Sequence, residues 1–106
     1  MTLAASLFVS GVIHKREITL PDGTTHTLHF KELPAVGFRS FQLAETSDDD
    51  EVRAASMVKL IASSLCEEDG KPAITQIEAA RLTSAAANAL IAAILEINGF
   101  GAKKNL

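Results

Sequence analysis

The sequence predicts an α+β fold: an N-terminal β-hairpin followed by a mainly α-helical body of two or three helices. Three observations carry this. Pro21-Asp22-Gly23 separates two stretches in which apolar and polar residues alternate. After Pro34 the apolar spacing changes from two to three and four residues. From Thr83 to Leu95 the chain runs thirteen residues without a charge, and Ala, Leu and Ile dominate it.

The hairpin spans about residues 12–33. Ile18 and Leu20 mark the buried face of the first arm, and Leu28 and Phe30 that of the second. Pro sets φ and Gly takes positive φ in the turn between them. A two-stranded hairpin is marginal alone, so it is expected to pack on a helix. The helical part spans about residues 34–98. Pro disfavours helix in Leu33 but suits a first turn, so Pro34 marks the boundary. Ala35 to Glu45 reads as a short helix with Phe38, Phe41 and Leu43 as its apolar contacts, although Gly37 weakens it.

The next helix begins in the acidic run Thr46 to Glu51. Ser47 or Asp48 is its expected cap, and the acids complement the positive end of the helix dipole. It is expected to run to Cys66, with Val52, Ala55, Met57 or Val58, Ile61, Ala62 and Leu65 on one face. Glu67 to Pro72 breaks it. Thr75 with Glu78 matches a capping box and opens a last helix expected to reach about Ile97. Asn98-Gly99 ends it, and a loose tail fills 99–106. The 106 residues thus read as one small domain.

Composition narrows the function. The net charge of −3 supplies no basic footprint for nucleic acid. The lone Cys66 allows no disulfide within the chain, in keeping with a cytoplasmic protein. The N-terminus has no basic residues ahead of its apolar stretch, which argues against a secretory signal. The Thr83–Leu95 run is too short to span a bilayer, so no membrane role is expected.

Candidate chemistry fails on spacing. Asp48 to Glu51 is a solvated helix start and has no second cluster to complete a cation site. Glu67-Glu68-Asp69-Gly70 lacks the ligand positions of a calcium-binding loop. His26 and His29 point to opposite faces of a strand and cannot share a metal. Cys66 stands beside Glu67 and Glu68, the wrong setting for a thiolate nucleophile. No enzyme, cofactor or metal is predicted. The apolar C-terminal helix has two readings. It is the central helix of a compact body, or it is an interaction surface too large for a small chain to cover.

One pattern accumulates across the chain. Leu20-Pro21-Asp22-Gly23 and Phe30-Lys31-Glu32-Leu33-Pro34 belong to the strand pair. Leu65-Cys66 ends a helix, Glu67-Glu68-Asp69-Gly70-Lys71-Pro72 forms an acidic loop, and Ile97-Asn98-Gly99 ends the last helix. From about Ile18 to Asn98 this texture resembles the tail assembly chaperones of long-tailed bacteriophages and prophages. The resemblance implies a non-enzymatic protein of the host cytoplasm. Such a protein binds the helical tape measure protein and keeps it soluble while tail tube subunits polymerise around it, and it is absent from the finished virion. It also implies a longer product made by frameshifting, for which Lys103-Lys104-Asn105 is a candidate slippery site. Residues 1–12 match no feature of the family.

Masking an apolar rod requires apolar surface on the chaperone, and helix-in-groove contact is the natural mode. The expected anchors are Ile77, Leu90, Ile91, Ile94 and Ile97. The tail tube protein is a second candidate partner, and a homo-oligomer is left open. Alternative readings are a structural tail or virion component and a small regulatory protein-binding module.

Overall fold

A computed structural model describes residues 3–99. The order of elements is β1 (Ile13–Thr19), β2 (Thr25–Lys31), α1 (Ala35–Glu45), α2 (Asp50–Ser64), β3 (Leu65–Cys66), α3 (Gln76–Ala79) and α4 (Ser84–Ile97). A 3-10 turn at Ala5–Leu7 precedes them. The architecture is α+β as expected, with the hairpin first and the helices after it.

β1 and β2 pair antiparallel, with Ile18 opposite His26, Arg16 opposite Leu28 and His14 opposite Phe30. Their turn follows from its residues. The Gly23 amide donates to the Leu20 carbonyl at 2.9 Å, the Leu20 amide to the Thr24 carbonyl at 2.9 Å, and Gly23 has φ +89°. Asp22 accepts the Thr24 amide and hydroxyl, and these bonds hold its carboxyl below the usual carboxylate range. One face of the hairpin carries Ile18 and Phe30 into the core, and the other carries Lys15, Glu17 and Thr27 into solvent.

α1 has the expected bounds, but Leu43 points outward while Phe38 is buried. α2 starts one or two residues later than the expected cap, Ser47 or Asp48, would place it. Asp49 is the cap, accepting the Glu51 amide at 2.9 Å, while Ser47 accepts the amide of Asp49 itself. α2 also ends early. The expected continuation to Cys66 gives way at Leu65, which is extended and pairs with Phe30 as the third strand of the sheet. Ser64 turns the corner: its fully buried hydroxyl donates to the Lys31 carbonyl at 2.8 Å. Leu65 and Cys66 are both buried, so the sheet edge gains more from them than a helix end would.

The acidic loop after β3 is a second turn of the same kind as the first. The Gly70 amide donates to Glu67, the Glu67 amide to Lys71, and Asp69 accepts the Lys71 amide, with Gly70 at φ +90°. The capping box at Thr75 and Glu78 forms in both directions. The single last helix expected from Thr75 or Gln76 to Ile97 is instead two, broken between Ala79 and Ser84. Thr83 is extended and caps α4 by accepting the Ala86 amide at 3.1 Å. Neither Gly nor Pro forces this break. It lets Ala79 bury itself on α2 while α4 takes its own path across α2 and the sheet. At the far end Gly99 takes φ +88°. The Asn98 side chain accepts the Leu33 amide at 2.9 Å and donates to the Ile94 carbonyl at 2.7 Å. The expected loose tail and the Lys103-Lys104-Asn105 site lie outside the described residues, Gly99 excepted.

The core joins Ile18 and Phe30 of the sheet, Phe38 of α1, Leu60 and Ile61 of α2, and Ala87, Leu90 and Ile94 of α4. α4 therefore satisfies the first of its two readings. Its exposed line is Ser84, Ala85, Asn88, Ala92 and Glu96, all without large apolar side chains. The expectation that the body is too small to cover this helix fails for a simple reason. Much of the helix perimeter is Ala, which needs little cover, and its Leu and Ile side chains point at α2 and the sheet.

Candidate functional site

The unfilled apolar surface lies elsewhere, on the α1–α2 hairpin. The four-residue link between the two helices folds them back on one another. Val36, Ser40 and Leu43 recur along one face of α1 at helical spacing, and Val52, Ser56, Lys59 and Ser63 do so along α2. Between these faces opens a groove of about 320 Å³, floored by Leu33, Phe41 and Leu60. Gly37, Ser40, Ser56 and Ser63 line it with small side chains, which allow another backbone to approach closely. Val36, in the lining, is 75% exposed, and Leu43, about two turns further along α1, is 63% exposed, so large apolar groups stand in water on this face of the helix. Val52, expected to face inward, is also exposed.

The hairpin tip carries Glu45, Asp48, Asp49, Asp50 and Glu51. Arg53 bonds to Asp50 and to the Ser47 carbonyl, which leaves the tip strongly acidic. Lys59 supplies one positive charge in the groove wall. The groove lining is thus apolar with serines and this one cation, and the acidic tip lies beyond it along the two helices.

A second apolar strip adjoins it. Leu3, Leu7, Phe8, Val9 and Val12 are all exposed on the segment before β1. This arm crosses Leu33 and Pro34, which also line the groove. Glu32 holds it in place, with one carboxylate oxygen accepting the Ser10 amide at 3.0 Å and the other 2.9 Å from His14 Nε2. The Ser10 amide first, and His14 after it, keep the Glu32 carboxyl below its usual value. Two strips of exposed apolar side chains thus lie side by side on this part of the surface.

The sequence-predicted anchors scatter. Leu90 and Ile94 are core residues, 4% and 0% exposed, and support the fold from inside. Ile91 and Ile97 are half-buried and pack against that core. Only Ile77, 79% exposed on α3, stands fully in water. The exposed residues of α1 and α2 escaped notice because Leu43 and Val52 look like inward contacts in a one-dimensional pattern, and Val36 carries no local signal of its own. Their spacing on two consecutive short helices was the available signal.

The remaining titratable groups serve structure. Burial pushes the Cys66 thiol up against an opposing pull from Lys31, and Glu67 and then Asp69 add weaker pushes in the same upward direction. His26 is exposed and bonds Thr24 Oγ1 at 3.0 Å, on the opposite face of β2 from His29. Among the described residues no three His, Cys, Asp or Glu side chains gather as a metal site, and no helix is long and apolar enough to cross a membrane.

A family model described as phage tail assembly chaperone matches residues 2–98. The match takes in the N-terminal arm, which the resemblance drawn from short motifs did not reach. No curated protein and no solved structure gives a significant match.

Proposed function

Because this chain belongs to the phage tail assembly chaperone family, we propose that it binds the tape measure protein through the α1–α2 groove and keeps that protein soluble while the tail tube forms around it. The observation that carries this reading is the unfilled groove with exposed Val36 in its lining, continued on the same two helices by exposed Leu43 and Val52. A long helical protein without its tube exposes apolar stripes, and a groove of this lining between two helices suits one amphipathic helix. Small residues let the incoming backbone sit close, Phe41 and Leu60 supply the floor, and the acidic tip favours a helix with Lys or Arg at the matching end. Binding to the exposed stripe removes it from solution by mass action, and release follows when tube subunits compete for the same surface. The mechanism is binding alone and takes place in the host cytoplasm. Ile77, with the accessible edges of Ile91 and Ile97, offers a secondary contact, and the tube protein is a second candidate partner.

The test is co-expression with the long, helix-rich tail protein. The reading expects that protein to move from the insoluble to the soluble fraction and to co-purify with this chain. Unchanged solubility would remove the tape measure assignment.

A further inference from the structure

The groove leaves one other feature of the molecule unused, the outer edge of the sheet. β1 is an edge strand, since the order is β1-β2-β3. The ladder phase shows which of its groups face outward. Leu20 and Thr24 form the hydrogen-bonded pair that closes the turn. Alternation along an antiparallel pair then turns Ile18, Arg16 and His14 towards β2. The amides and carbonyls of Ile13, Lys15, Glu17 and Thr19 face away from it. Among the described residues only one side chain meets them: Arg16 Nη1 donates to the Lys15 carbonyl at 2.9 Å, which leaves that oxygen a second lone pair.

We propose that β1 pairs antiparallel with β1 of a second copy about a two-fold axis at Arg16, joining two three-stranded sheets into one of six strands. The sequence of the edge is complementary to itself in that register. Lys15 falls opposite Glu17 of the second copy, and Glu17 opposite its Lys15, so two ion pairs form on the solvent face. Ile13 falls opposite Thr19, and all four outward-facing residues become hydrogen-bonded pairs. On the other face exposed Val12 falls opposite Leu20. The two Arg16 side chains meet at the axis, each already held by Glu96 of its own chain at 3.1 Å. Sliding the register by two residues places Lys15 on Lys15 or Glu17 on Glu17, so charge selects one register and a two-fold selects this chain as its own partner. An unpaired, seven-residue edge is otherwise a liability.

Sedimentation of charge variants tests this. The wild-type chain is expected to dimerise in the micromolar range. Lys15→Glu and Glu17→Lys are each expected to weaken the dimer about tenfold or more, since both ion pairs become repulsions. Mixing the two single variants restores a heterodimer, and so does the double swap Lys15→Glu/Glu17→Lys in one chain. Circular dichroism checks that each variant is folded. Hydrogen exchange supplies a readout that needs no variant: the amides of Ile13, Lys15, Glu17 and Thr19 gain protection as wild-type concentration rises. A monomeric wild type, a dimer indifferent to both single variants, a mixture that fails to reassociate, or edge amides that exchange freely in the dimer would each overturn the proposal. None of these outcomes touches the groove, which Val36 variants probe separately.

Discussion

Val36→Asp is the sharpest perturbation of the proposed groove. Val36 is 75% exposed and lies outside the hydrophobic core. It is the second residue of α1, where a carboxylate faces the positive end of the helix dipole. The folded chain should therefore lose no more than about 0.5 kcal/mol, and it gains if the dipole term dominates. Binding responds differently. Covering a valine of this exposure is worth about 1–1.5 kcal/mol, taken as three quarters of a full burial. Placing a carboxylate against an apolar helix adds a desolvation cost of about 1–3 kcal/mol. The sum, about 3 kcal/mol, predicts affinity lower by roughly a hundredfold. Calorimetry or a quantitative pull-down against the tape measure protein reads the affinity, and a thermal melt of the free chain reads the fold. A folded Val36→Asp protein that binds within threefold of wild type would refute the groove as the binding site.

Other predictions follow from the same contacts. Ile94→Ala empties a site with no exposure and should cost about 2–5 kcal/mol by denaturant melt; an unchanged midpoint would show that α4 is not packed as described. Asn98→Ala removes the bonds to Leu33 and Ile94 and leaves a half-buried amide without its partner, a loss of about 2–3 kcal/mol by the same assay. Glu32 has a carboxyl below its usual value of 4.5 in the folded chain. Its contribution is therefore complete above pH 4.5 and fades as pH falls through the lowered value. The Ser10 amide resonance should shift over that acidic window, and Glu32→Ala should reproduce the low-pH spectrum at neutral pH. A Ser10 signal indifferent to both would detach the arm from Glu32.

Local signals in the chain settled much of this molecule. The Pro21-Asp22-Gly23 turn, the alternation around it, the start of α1 after Pro34, the Thr75–Glu78 capping box and the Asn98-Gly99 stop all depend on residues within a few positions of one another. Their geometry is dictated by φ preferences and short-range hydrogen bonds, so sequence alone determined them. The resemblance to tail assembly chaperones also came from short local motifs.

What tertiary structure decided were the choices in which local preference is weak and distant packing is strong. Leu65 and Cys66 suit a helix end as well as a strand until Phe30 and His29 offer them a sheet edge. Residues 80–83 contain no breaker, yet the chain turns there because Ala79 and α4 bury on different surfaces. Apolar spacing likewise identifies a stripe without saying whether its own chain covers it. Leu90 and Ile94 are covered; Val36 and Leu43 are not. That difference depends on where α2 and the sheet stand relative to each helix, a long-range relation that no window of neighbouring residues contains.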